Sequence, residues 1–77
     1  MNLIIDIGNT SAKMAVFDQG KPVEVRRTSN QSLEGLEELC MHYPIRKGII
    51  STVITPRQTI DEQLEKLPFP WMKLNHE

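Results

Sequence analysis

Residues 3–13 read Leu3-Ile4-Ile5-Asp6-Ile7-Gly8-Asn9-Thr10-Ser11-Ala12-Lys13, and the fold is decided by how they are divided. Leu3 to Ile7 is an almost unbroken β-branched run, the pattern of a strand buried on both faces, interrupted only by the carboxylate of Asp6. A buried charge is costly without a partner, so Asp6 stands out. Gly8-Asn9-Thr10 is a tight-turn tripeptide in which Gly, and to a lesser degree Asn, accept positive φ and close backbone approach. A second strand is predicted from about Ser11 to Phe17, with Met14 and Val16 on one side. The two strands form a hairpin that brings Asp6, the turn amides, the Asn9 and Thr10 side chains and the Lys13 ammonium to one end.

That set of groups suits a nucleotide polyphosphate. Successive turn N–H groups make an anion-binding concavity, Asn9 and Thr10 add donors, Lys13 adds a point charge, and Asp6 can hold a magnesium ion through its waters. The same residues also make an ordinary hairpin, with Asp6 accepting from turn amides and Lys13 solvated; spacing alone leaves both readings open.

Downstream, Asp18-Gln19-Gly20-Lys21 is a turn, and Pro22 to Thr28 alternates Val23 and Val25 with Glu24 and Arg26, a half-exposed third strand. From Ser32, Leu33, Leu36, Leu39 and Cys40 recur at helical spacing, with Glu34, Glu37 and Glu38 opposite them on a solvated face. This helix is predicted to end near Tyr43, before Pro44. Lys47 to Ile54 is the next apolar run, and the helix before it permits parallel pairing with the first strand. Thr55-Pro56-Arg57-Gln58 reads as a helix start, with Thr55 as N-cap and Pro56 in the first helical position. Ile60, Leu64 and Leu67 continue that helix, Pro68 ends it, and Phe69 to Leu74 is a last strand before Asn75-His76-Glu77. Trp71, Met72 and Leu74 read as core, as does Cys40; His42 and His76 have no second ligand at metal spacing.

Composition narrows the function classes. The 77 residues suffice for one domain, and 39% hydrophobic with 25% charged residues describes a globular chain. A net charge of −1 gives no basic footprint for nucleic acid. The single cysteine, Cys40, excludes a disulfide framework and fits a reducing compartment. No apolar run reaches the length of a signal-peptide core or a membrane span, so a cytoplasmic protein without membrane contact is expected.

Asp6-Ile7-Gly8-Asn9-Thr10, with Lys13 three residues on, resembles the first phosphate motif of type III pantothenate kinases, in the superfamily of actin, hexokinase and sugar-kinase ATPases. Ile49-Ile50-Ser51-Thr52-Val53-Ile54 is similar to their Ser-Ser-Val-Val segment, although family members often have Ser at the position of Thr52 and Pro at that of Thr55. Ser51 and Thr52 read here as strand hydroxyls satisfied by backbone.

The resemblance implies an α/β fold, the ribonuclease-H-like half-domain of actin-like ATPases, with β-β-β-α-β-α-β order, a mixed sheet and strand one central. Residues 1–77 would form one N-terminal half-domain of a longer kinase. It further implies ATP-dependent phosphorylation of pantothenate in coenzyme A biosynthesis, with ATP, Mg2+ and a monovalent cation (K+ or NH4+), in a homodimer. By resemblance the ATP phosphates and metal fall to Asp6, Gly8, Asn9, Thr10, Ser11 and Lys13, with Asp6 holding the metal through water. The family's Gly-x-Asp-Arg motif, which carries the general base, and its second phosphate motif, which holds the monovalent cation, do not occur in these residues, so no catalytic residue is expected among them and they should be inactive alone. Ribonuclease-H-like nucleases share the topology but need further carboxylates, where the fourth strand offers Ser51 and Thr52 and the first helix only Glu37 or Glu38. A non-catalytic regulatory or interaction module with the same fold is the alternative.

Overall fold

The computed structural model describes residues 1–75; the reading of His76 as a histidine without a metal partner falls outside them. The chain order is β1 (Asn2–Ile7), β2 (Ser11–Asp18), β3 (Lys21–Ser29), α1 (Leu36–His42), β4 (Lys47–Thr52), α2 (Gln58–Glu65) and β5 (Trp71–Asn75). They form one five-stranded sheet in the order β3-β2-β1-β4-β5. β1 is central, antiparallel to β2 and parallel to β4, which is the mixed topology expected of an actin-like ATPase half-domain. The β2–β3 turn is a two-residue hairpin loop, with Gln19 at φ 53° and Gly20 at φ 79°, the double positive-φ geometry that matches strand twist.

Side-chain alternation along β1 divides the sheet into two unlike faces. Leu3, Ile5 and Ile7 point to one side, where their register partners Val16, Met14 and Ala12 on β2 and Ile50 and Thr52 on β4 join them. Leu33, Leu36 and Leu39 around α1, and Ile60 and Leu64 on α2, close over that side into one buried cluster. Both helices therefore lie on the same face. The other face carries Ile4, Asp6, Lys13, Ala15, Phe17, Val25, Ile49, Ser51, Met72 and Leu74 in register across the strands. This corrects two expectations. β1 is not buried on both faces, since Ile4 is half-buried and Asp6 exposed, and Met72 and Leu74 are not core, being 60% and 44% exposed while Trp71 packs against the core cluster.

β3 inverts the usual pattern. Its valines lie outward, with Val25 52% exposed, whereas Glu24 and Arg26 face α1. Arg26 pairs through Nε with Glu24 and through Nη2 with Glu38 on α1 at 3.3 Å, and the Tyr43 hydroxyl donates to Glu24 Oε1 at 2.7 Å. A polar clamp thus ties the edge strand to both ends of α1. Hydrogen bonds from the Tyr43 hydroxyl and the Arg26 guanidinium hold the Glu24 carboxyl below its ordinary value, and the hydrogen bond to Glu24, with burial, pushes the Tyr43 hydroxyl up.

The helix starts differ from expectation. α1 does not begin at Ser32: Leu33 N–H donates to Gln63 Oε1 at 2.8 Å, and Gln63 Nε2 donates to the Leu33 carbonyl at 3.0 Å, so the backbone of Leu33 is committed to α2. Gly35 follows at φ 88°, a left-handed conformation that only then releases the chain into the helix. Gly35 also leaves room for Arg26, whose Nη1 would stand 2.8 Å from a Cβ at that position. α2 starts at Gln58, after an extended Arg57, and not at Pro56; Pro56 is buried and Thr55 lies in the preceding loop, so this proline is used for packing and not as the first helical residue. β4 stops at Thr52 because its hydroxyl donates to the Ile54 carbonyl and accepts from Ile54 N–H at 3.2 Å, closing a turn. Phe69 is buried ahead of β5 and not within it.

Two tests follow from the clamp and its glycine. Gly35→Ala, although alanine favours helix, should lower unfolding free energy by about 1–2 kcal/mol or more, the cost of a left-handed non-glycine residue plus displacement of Arg26, as read by urea denaturation. Glu24 has a folded-state pKa below its unfolded one, so its stabilisation is complete above about pH 4.5 and is lost as pH falls through the folded value. Tyr43→Phe should accordingly lower Tm at pH 7, and the gap to the parent protein should shrink when the melts are repeated at pH 3.

Candidate phosphate site

The end of the β1–β2 hairpin is set by register. Asp6 stands directly opposite Lys13, and Ile7 opposite Ala12, so the acid and the ammonium share the open face while their apolar neighbours are buried beneath. Cβ atoms of such cross-strand partners lie about 5 Å apart, so both side chains rise from the same spot on the open face. Gly8 N–H donates to the Ser11 carbonyl at 2.8 Å and closes the hairpin, leaving Asn9 and Thr10 exposed at its tip. Gly8 does not use positive φ as anticipated; its value is closeness, since a Cβ there would lie 3.2 Å from the Ser11 carbonyl oxygen. Ser11 is half-buried at the start of β2, opposite Ser29.

The same row of the sheet continues on both sides. Arg27 on β3 is the register partner of Lys13, and Ser51 on β4 that of Asp6, giving Arg27, Lys13, Asp6 and Ser51 side by side across four strands. Two like charges directly opposite each other in an antiparallel pair are unfavourable, so Lys13 and Arg27 mark a place where an anion is welcome. The row lies at one end of a shallow depression of about 370 Å³, lined by Ile4, Asp6, Lys13, Ala15, Phe17 and Ser51, that runs across the open face. Each of Asp6, Gly8, Asn9, Thr10, Ser11 and Lys13 is thus at or beside the hairpin end. Arg27 belongs to no motif in the sequence, and only the β2–β3 register places it beside Lys13.

Asn30 is the other residue that sequence reading missed. It follows the last residue of β3, and its Nδ2 donates to the Gly8 carbonyl at 3.1 Å and to the Asn9 carbonyl at 2.8 Å. Among the described residues no group of three His, Cys, Asp or Glu side chains gathers to hold a metal; Asp6 is a lone carboxylate, the donor set of an ion that keeps its own waters and takes its remaining ligands from phosphate. His42 is exposed, edge-on to Tyr43 with ring centroids 4.7 Å apart, and burial together with the Glu37 charge pushes the Cys40 thiol up, away from nucleophilic chemistry.

No protein-family model matches the chain. Among known proteins, a type III pantothenate kinase of Phocaeicola vulgatus is 58% identical over all 77 residues, and type III pantothenate kinases from two strains of Bacteroides fragilis are 53% identical over 75 residues. Over its whole length the chain is similar in sequence to the N-terminal part of these type III pantothenate kinases. It spans about a third of the length of those relatives. The five-stranded mixed sheet with β1 central and two helices is consistent with an actin-like ATPase half-domain. No helix among the described residues is long and apolar enough to cross a membrane.

Because Asp6 is exposed and its strand neighbours Ile5 and Ile7 supply the burial, Asp6→Asn should leave folding nearly intact. Loss of one cross-strand charge pair is worth at most about 1 kcal/mol, and thermal melts of this variant should stay within that bound.

Proposed function

We propose that these residues are one jaw of an ATP-dependent pantothenate kinase of coenzyme A biosynthesis and that the β1–β2 hairpin end receives the nucleotide phosphates. The observation that carries this reading is the opposition of Asp6 and Lys13 on an open sheet face beside an exposed turn, in a chain 58% identical to a type III pantothenate kinase. In this reading Gly8 closes the turn through its own N–H to the Ser11 carbonyl, the N–H groups of Asn9 and Thr10 donate to phosphate oxygens, Thr10 and Ser11 add hydroxyls, and Lys13 neutralises charge. Asp6 would hold hydrated Mg2+ through its waters, and the ion would supply charge compensation to the nucleotide phosphates.

Transfer of the γ-phosphoryl group requires an aligned nucleophile and groups from both sides of a cleft. In this proposal residues 1–77 are a single half-domain, and the general base, the monovalent cation site for K+ or NH4+ and the pantothenate pocket belong to the remainder of the kinase. These residues alone then carry no turnover. The homodimer and the cytoplasmic location implied by the resemblance belong to the same proposal; the contact with further protein is supported by the apolar open face, where Ile49, Met72 and Leu74 are exposed.

Steady-state kinetics of the full-length protein with MgATP and pantothenate tests the reading. Asp6→Asn should reduce turnover by orders of magnitude at saturating magnesium with little change in melting temperature. Lys13→Ala should weaken nucleotide binding by about 1–3 kcal/mol, the range for hydrogen bonds to a charged group. Undiminished turnover in Asp6→Asn would leave the hairpin as a turn without a phosphate role.

A further inference from the structure

We propose that Asn30 is the positioning residue of the phosphate turn, holding the hairpin-tip amides aimed outward before any nucleotide arrives. This rests on the nucleotide reading of the Asp6–Lys13 hairpin and adds to it a residue from outside the motif.

β2 and β3 remain paired up to Ser11 opposite Ser29, so the next residue, Asn30, lies beside the tip of the neighbouring hairpin. Its position is itself fixed locally. Gln31 N–H donates to Ser29 Oγ at 2.9 Å, and Thr28 Oγ1 donates to the Ser32 carbonyl at 3.0 Å while accepting from Glu34 N–H at 3.2 Å. From there the carboxamide uses its Nδ2 hydrogens on two successive carbonyls of the turn, Gly8 and Asn9.

The consequence follows from peptide geometry. No cis peptide bond is present, and in a planar trans peptide the carbonyl of one residue and the N–H of the next point in opposite directions. With the Gly8 and Asn9 carbonyls drawn towards Asn30, the N–H groups of Asn9 and Thr10 are directed away from it. Those are the two amides at the exposed tip. Convergent N–H groups held in advance are what an anion-binding turn needs, because donors already fixed cost nothing to reorganise when charge arrives. Few other side chains can serve here. Alanine offers no donor, an aspartate of the same shape offers only acceptors to two carbonyls, and glutamine is a methylene too long for the same seat.

The experiment uses the full-length kinase with Asn30→Ala, Asn30→Asp and, in parallel, Asp6→Asn, measuring kcat and KM for ATP and for pantothenate separately, inhibition by inorganic triphosphate, and Tm. Asn30→Ala and Asn30→Asp should each lower kcat/KM for ATP between about tenfold and a hundredfold and weaken triphosphate inhibition by a similar factor, the worth of one or two charge-assisted hydrogen bonds. The KM for pantothenate should stay within twofold. If kcat/KM for ATP is unchanged, or if both substrates lose equally in step with a fall in Tm, Asn30 is only a loop staple and the proposal is overturned. Unchanged turnover in Asp6→Asn overturns the phosphate reading itself, whereas an impaired Asp6→Asn beside an undisturbed Asn30→Ala overturns the role of Asn30 alone. Should the Asn30 variants fail to fold, amide chemical shifts of the unsubstituted enzyme decide: triphosphate should move Asn9 and Thr10 N–H, and if it leaves both in place the proposal falls.

Discussion

The register between β1 and β2 is the constraint on which the rest of the molecule depends. Strand side chains alternate with a period of two, so a slip of one residue would carry Leu3, Ile5 and Ile7 to the open face and turn Asp6 into the core. Burial of three aliphatic side chains, at about 1.5–3 kcal/mol each, against a carboxylate that resists desolvation makes the observed register far better than its neighbours. The same choice places the acid and the lysine together at the hairpin end. Folding energy and site geometry are thus set by one alternation, with no separate device needed to bring Asp6 to Lys13.

A sheet covered on one side only must still anchor its edges. β5 does so with Trp71 against the core, and β3 does so with charge, by turning Glu24 and Arg26 inward to Tyr43 and Glu38. Exposed ion pairs are worth little singly, and this clamp gains from sharing Arg26 and Glu24 among several partners so that each side chain is ordered once for more than one contact. Leaving Val25 outward is the other half of that arrangement. It extends the apolar open face from Ile49 across to β3 and leaves the row of Arg27, Lys13, Asp6 and Ser51 at its polar end.

Much of this was legible in the sequence where the signal was local. The β1 run, the Gly8-Asn9-Thr10 turn, the crossover that makes β4 parallel and the order of elements all follow from periodicity and turn chemistry, and the six candidate residues lie at or beside one hairpin end. What escaped was decided between elements. Thr55-Pro56 has a helix-start pattern, yet Pro56 is buried in the loop ahead of α2 and the helix starts at Gln58. Leu33 has helical spacing, yet its backbone belongs to Gln63 thirty residues away, and no sequence period records a side chain that bonds to another segment's main chain. Asn30 is illegible for the same reason, since its partners are carbonyls, which carry no residue identity.

The division of labour at the hairpin end then has a physical rationale. Lys13 and Asp6 act through charge, which on an exposed surface is screened within about 10 Å at ordinary ionic strength and weakly directional. Hydrogen-bond donors on a turn act through direction, but a turn of exposed residues is the least rigid backbone available. One carboxamide reaching over from the adjacent strand end answers both deficits: it removes two carbonyl oxygens from the side on which an anion must approach, and it removes the freedom of the peptide planes that carry the opposing N–H groups. On an open sheet face, a phosphate received as proposed would meet its donors from one side. The proposed contribution of the turn is then geometry fixed in advance, held from the end of β3, the strand that pairs with neither β1 nor β4.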